Sequence, residues 1–126
     1  MSARRRIKVA TGRAAVQAWL AAQADGAGPP ERNTTATAVR FTLEELAARA
    51  PGQALEVRVP PFGATQCIAG PVHRRGTPPA VVEMRPEVWL GLATGRTDWA
   101  TAVAAGDIDA SGARADLSGH VPLTDL

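Results

Sequence analysis

The chain has 126 residues, of which 45% are hydrophobic and 21% charged, with a formal net charge of +2. This composition suffices for one continuous core, so we expect a single domain over 1–126, with an N-terminal helix and linker over 1–33 and a core over 34–126. Its single cysteine excludes an internal disulfide, and no apolar run reaches the ~20 residues that span a bilayer. Since no export signal is recognisable, we expect a cytoplasmic protein.

The chain begins with a basic segment, Arg4 to Lys8. Such a segment can contact nucleic-acid phosphates, but aromatic residues do not interrupt it and no recognition-helix pattern follows. The sequence therefore favours a solvated tail and predicts no nucleic-acid partner.

The first predicted helix runs from Ala10 to Ala24, because small apolar residues and Trp19 recur in it at helical spacing. Gly26 and the Gly-Pro-Pro sequence at 28–30 end it. We expect the face around Trp19 to dock on the rest of the domain. A surface for a protein partner is the alternative interpretation of the same face.

Potential capping residues over 31–37 precede the next helix, whose apolar stripe includes Ala38, Phe41 and Leu46. Pro51 and Gly52 end this helix, and we expect it to lie on a sheet. Three strands are predicted from alternating or continuous apolar residues, at Leu55–Val59, Thr65–Ala69 and Ala80–Met84.

The connection before the third strand, residues 70–79, is long for a hairpin and contains His73, Arg74 and Arg75. It is interpreted either as a flap over a cavity mouth or as a solvated connector.

The segment from 85 to 117 contains the clearest local signals. Pro86 and Gly95 bound a short helix, and Thr97 is the predicted cap of the next one. The apolar stripe of that second helix consists of Trp99, Ala102 and Val103. Residues 107–110 alternate as a strand should, and residues 113–117 are predicted to form a closing helix.

This order of elements, with L-A-T-G-R between the two short helices and A-G-D-I-D-A-S-G after them, resembles the sterol carrier protein family and its small bacterial branch. The helix sequence AVRFTLEELAARAPG and the strands after it are also similar. The resemblance covers residues 34 to 121. It implies an α+β fold, namely a small, mostly antiparallel curved sheet with helices packed on one face, here with an added N-terminal helix.

In this family the fold encloses an apolar tunnel that holds fatty acyl chains or sterols. The resemblance therefore implies a carrier of a hydrophobic small molecule. The expected cavity residues lie on the inner helix faces; they are Phe41, Leu46, Trp89, Leu92, Trp99, Val103 and Leu117. The competing interpretation is that each is simply core. The alternative function is an accessory or protein-interaction domain with a closed tunnel, as in the non-catalytic domain of thiol-dependent isomerase relatives.

The sequence predicts no catalytic residue, cofactor or metal site. Cys67 and Ser111 lack the context of a catalytic nucleophile, and His73 and His120 lie too far apart in sequence for a zinc motif. Cys67 is therefore predicted to serve packing, and the protein is not expected to be an enzyme.

A ligand with a carboxylate could be held at the cavity mouth by arginine. The candidates are Arg96, directly after Gly95, and Arg114, at the start of the predicted closing helix, together with Arg74 and Arg75 in the long connection. The competing interpretation is that these arginines are solvated or pair with Asp98 and Asp116.

Overall fold

The computed structural model describes residues 6–26, 28–70, 80–113 and 115–126. In this part of the chain it has an α+β fold with four helices and a four-stranded sheet. In chain order the elements are α1 (Val9–Ala24), α2 (Arg32–Arg49), β1 (Leu55–Val59), β2 (Gly63–Cys67), β3 (Ala80–Glu83), α3 (Pro86–Thr94), α4 (Trp99–Ala104) and β4 (Asp109–Ser111).

The sheet has the strand order β2-β1-β3-β4. The pairs β1–β2 and β3–β4 are antiparallel, whereas β1 and β3 run parallel. The predicted α+β class with a mostly antiparallel sheet is therefore confirmed. The two outer strands of the sheet are β2 and β4.

Strand β1 coincides with its prediction because its apolar residues alternate with charged ones and only the apolar side chains are fully buried. Strand β2 begins two residues earlier than predicted, since a turn over 60–62 pairs Val59 directly with Gly63. It also ends earlier, at Cys67. Ile68 adopts a φ of 68°, which a β-branched residue rarely does and which stops the strand.

Helix α2 packs against β2, and the two run in the same direction along each other. Arg40 contacts the start of β2 by donating from Nε to the carbonyl oxygen of Phe62 at 3.0 Å. At the other end, the backbone N–H of Ile68 donates to the carbonyl oxygen of Ala50 at 2.6 Å. The edge of the sheet is thus lined along its length by the second half of α2.

Helix α1 forms a further layer on α2. It begins and ends within one residue of its prediction, and Trp19 is buried as expected. Its residues Ala15, Val16 and Trp19 join the same hydrophobic cluster as the side chains from the sheet.

Gly95 ends α3 in the left-handed conformation, with a φ of 82°, as a C-terminal glycine often does. The cap of α4 is Asp98 and not the predicted Thr97. Its carboxylate accepts a hydrogen bond from the backbone N–H of Thr101 at 2.7 Å, which lowers the pKa of Asp98. The N–H of Thr97 instead donates to Gly91.

Strand β4 is shorter than predicted and shifted towards the C-terminus. The N–H of Asp107 donates to the carbonyl oxygen of Ala102 and thereby belongs to the end of α4, so pairing starts at Asp109. The predicted closing helix over 113–117 is wrong, because residues 115–117 are irregular. Leu117 and Leu123 are nevertheless buried, and the N–H of Leu123 donates to Ala93 on α3. The predicted flap over 70–79 lies outside the described residues, except for Gly70.

Candidate functional site

Most of the predicted cavity residues come together in the interior. Five of them, Phe41, Leu46, Trp89, Leu92 and Leu117, expose 1% or less of their surface and belong to one hydrophobic cluster. None of the five lines any of the three surface depressions described below.

A buried hydrogen bond fixes the centre of this cluster. The indole Nε1 of Trp89 donates to Oγ1 of Thr42 at 2.7 Å, and that hydroxyl in turn donates to the α2 backbone at Ala38 or Val39. An indole N–H in an apolar interior needs such a partner. Trp89 is therefore oriented by α2 as well as packed against it.

The side of α2 that carries Phe41 faces α1. A Cβ atom placed on Gly12 would lie 2.1 Å from the Phe41 ring, so the ring rests directly on the α1 backbone. Phe41 thus joins the two helices, in contrast to the expectation that it faces the sheet.

The two predicted residues of α4 are less buried. Trp99 is half-buried and packs on the edge of the cluster. Val103 is 50% exposed, and the interpretation that it points inward is wrong. Since α4 has only six residues, one turn of it reaches the core, and Ala102 is the residue that this turn buries.

The structure has a groove of about 440 Å³ between α2 and the edge strand β2, within the usual size range of small-molecule sites. We call it the α2–β2 groove. Its apolar surface comes from the N-terminal segment, α2 and the β1–β2 turn, and its lining residues are Arg6, Ile7, Arg40, Leu43, Glu44, Ala47, Phe62, Gly63, Ala64 and Thr65.

Gly63 lines the groove opposite α2. A Cβ atom at this position would lie 3.5 Å from Cδ1 of Leu43 and 3.8 Å from Cγ of Arg40, which are ordinary contacts. A larger side chain at the same position would extend into the space that the groove now offers.

Polar contacts define the rim of the groove. Glu44 accepts from the backbone N–H groups of Arg6 and Ile7 at 3.3 Å, which holds the N-terminal segment beside α2. Arg40, on the same side of the helix, is anchored by its bond to Phe62. The guanidinium of Arg32 lies 5.0 Å from the centroid of the Phe62 ring.

Two other depressions differ in character. One, of about 410 Å³, is bordered by Glu83, Asp107 and Asp109, and Arg85 there already pairs with Asp107 at 3.4 Å. The other, of about 320 Å³, lies between α1 and α2 and is lined by alanine, threonine and asparagine. Of the three, the α2–β2 groove offers the largest apolar side chains to a ligand.

Of the predicted head-group arginines, the structure describes only Arg96, and Arg96 does not line this groove. Arg96 is exposed in the loop after α3, and Arg114 lies outside the described residues. Sequence reasoning missed Arg40 and Gly63. The sequence does show an arginine on the exposed side of α2 and an edge strand without charged residues. Only the packing of α2 along β2, however, places the two next to each other.

The remaining reactive groups offer little chemistry. Cys67 is buried in β2, and this burial raises the pKa of its thiol to about 11, which makes it a poor nucleophile at neutral pH. Among the described residues, no three histidine, cysteine or acidic side chains are grouped so that they could hold a metal ion. Within the same residues, no helix has the length and apolar character required to cross a membrane.

The fold is that of a small α+β protein whose open sheet carries α2 along one edge. A family model described as "Bacterial SCP ortholog" matches residues 31–123, and the chain belongs to this family of sterol-carrier-like proteins. The match begins one residue before α2 and does not include α1. No curated protein matches the chain.

Proposed function

We propose that this protein is a carrier-type protein that binds a hydrophobic small molecule, such as a fatty acyl or sterol-like compound, in the α2–β2 groove. The observation that supports this proposal most strongly is the composition of the groove. Leu43 and Ala47 form an apolar floor continuous with the core, while arginine and glutamate stand at the rim. Membership of a carrier family supports the same function.

The expected affinity is modest because the groove is open to solvent. Covering about eight methylene groups contributes roughly 6 kcal/mol. Association and ordering cost about 4 to 15 kcal/mol, so an apolar tail alone gives weak binding. A ligand of this groove therefore needs a second, polar contact.

The interior cluster is a second candidate location for the same ligand. It comprises the sequence-predicted residues Phe41, Leu46, Trp89, Leu92 and Leu117, with Trp99 at its edge. A ligand there would have to separate side chains that pack against one another and break the bond between Trp89 and Thr42. The groove requires neither change, and we therefore favour it.

The alternative function is an accessory or protein-interaction domain. The close packing around Trp89 favours it, because a fold that carried its ligand in an interior tunnel would lose that role once the interior closed. This alternative predicts that the purified protein takes up neither acyl chains nor sterols.

The test is a substitution that fills the groove. Gly63→Val places a β-branched side chain in an edge strand with room for its Cβ atom, whereas Gly119→Val alters an exposed turn with no heavy atom within 4 Å of the added Cβ. Binding is measured by the fluorescence of an acyl-chain probe and by native mass spectrometry.

We expect the wild-type protein and Gly119→Val to bind the probe equally and Gly63→Val to bind it at least tenfold more weakly. The thermal midpoint of Gly63→Val should equal that of the wild type. Equal binding by all three proteins would exclude the groove and favour the interior. Absence of binding to the wild type would support the interaction domain.

A further inference from the structure

The charges that line the α2–β2 groove do not balance. Two arginines, Arg6 and Arg40, and one acid, Glu44, contribute to its surface, which leaves an excess of one positive charge. Glu44 is already engaged by the backbone N–H groups of Arg6 and Ile7. The described part of the groove thus has an unmatched cation and an apolar floor in the same space.

Arg40 is positioned to use this charge. Its Nε donates to the carbonyl oxygen of Phe62 at 3.0 Å, so the guanidinium is held at the mouth of the groove. A guanidinium has five N–H donors, and the four on its terminal nitrogens have no acceptor among the described residues. These four donors match the two oxygens of a carboxylate in a planar, bidentate arrangement.

The apolar contacts lie on one side of this cation. Along α2, Leu43 and Ala47 follow Arg40 at intervals of three and four residues, so the three side chains form a row on one helix face. The Phe62 ring lies at the end of the row that Arg40 occupies. The guanidinium of Arg32 lies over that ring and adds a second positive charge there. A ligand along this row would have its polar end at Arg40 and its apolar end at Ala47.

We propose that the ligand of the α2–β2 groove is a monoanionic amphiphile, with its carboxylate-type head on Arg40 and its tail on Leu43 and Ala47. This inference rests on the proposed function and specifies the ligand class and its orientation. It assigns the head-group contact to Arg40, which lines the groove, instead of Arg96, which does not.

The test compares two ligands that differ only in charge, decanoic acid and 1-decanol, at pH 8 and below their solubility limits. Each displaces a fluorescent acyl-chain probe from the wild-type protein and from Arg40→Gln. A matched control, Arg58→Gln, removes the same charge from an exposed residue of β1 that does not line the groove.

We expect Arg40→Gln to weaken decanoic acid about ten- to hundredfold, the range for a hydrogen bond to a charged group, and to change 1-decanol less than twofold. Arg58→Gln leaves both ligands unchanged. The decisive quantity is the loss of affinity for decanoic acid relative to that for 1-decanol. If the bond from Arg40 to Phe62 had only a structural role, the substitution would lower both affinities together.

Three results would overturn the proposal. They are equal losses for acid and alcohol in Arg40→Gln, no loss for either, or a selective loss of the acid in Arg96→Gln. In each of these cases the wild type still binds, so the proposed function stands. Failure of both ligands to bind the wild-type protein overturns the proposed function and the head-group assignment together.

Discussion

Helix α2 has two sides with opposite packing, and each is marked by a glycine on the neighbouring element. Towards α1, a Cβ atom at Gly12 would meet the Phe41 ring at 2.1 Å. Towards β2, a Cβ atom at Gly63 would meet Leu43 at 3.5 Å. The first glycine permits a close helix contact that a side chain would block, whereas a Cβ atom at the second would make only an ordinary contact with α2. The same helix therefore stabilises the fold on one side and offers a binding surface on the other.

The largest expected effect concerns the packed interior that α2 shares with α3. Trp89→Ala removes a fully buried indole and its bond to Thr42, and we expect it to lower the free energy of unfolding by about 3–5 kcal/mol. Trp99→Ala, at the half-buried edge, costs appreciably less. Urea denaturation measures both values. Equal and small losses would show that the interior around Trp89 already contains empty space.

The two glycines give a direct test of the contrast. Gly12→Ala forces the Phe41 ring to move, and we expect a loss of about 3 kcal/mol, the upper end of the usual cost of overpacking. Gly63→Ala introduces no close contact and should change stability by less than about 0.5 kcal/mol. Thermal and urea unfolding of the pair check this. A similar loss in both variants would contradict the difference between the two sides.

Thr42→Val sharpens the description of the packed side. It keeps the shape of the side chain but removes the acceptor of the Trp89 indole N–H, which should cost about 1–3 kcal/mol. The control is Trp89→Phe, which has no N–H to satisfy. The same threonine substitution should be much less costly in that background, as a double-mutant cycle would reveal.

The smallest expected effect is a pH dependence from Cys67 in β2. Its pKa is about 11 in the folded protein and lower in the unfolded chain, where the thiol is solvated. The unfolded state therefore releases its proton first as the pH rises, and stability falls between about pH 9 and 11. We expect a loss of roughly 1 kcal/mol near pH 9.5, absent in Cys67→Ala. Identical pH profiles for the two proteins would show that the buried thiol is not the source.

Much of the fold could be predicted because its signals are local. The alternation over Leu55–Val59 and the bounds Pro86 and Gly95 depend on residues within a few positions of one another. The errors arise where a distant contact decides. Asp107 joins the end of α4 through Ala102, and Leu117 is buried in an irregular segment, although both had a local pattern that suggested otherwise.

The site was less accessible to sequence reasoning for the same reason. Apolar residues on helices indicate burial, and burial does not distinguish a ligand cavity from a core. The features that distinguish the groove are Gly63, where an added Cβ atom would make no close contact, and the anchored guanidinium of Arg40. Both depend on the alignment of α2 with β2, which no short sequence pattern encodes.

The most direct test of the α2–β2 groove is to locate a bound ligand by nuclear Overhauser effects. The protein is labelled at its leucine and alanine methyl groups and saturated with decanoic acid, whose chain protons serve as the source. We predict contacts from the acyl chain to Leu43 and Ala47 and none to Leu92 or Leu117, which are buried in the interior. Contacts to Leu92 and Leu117 without contacts to Leu43 would contradict the account and place the ligand inside the core.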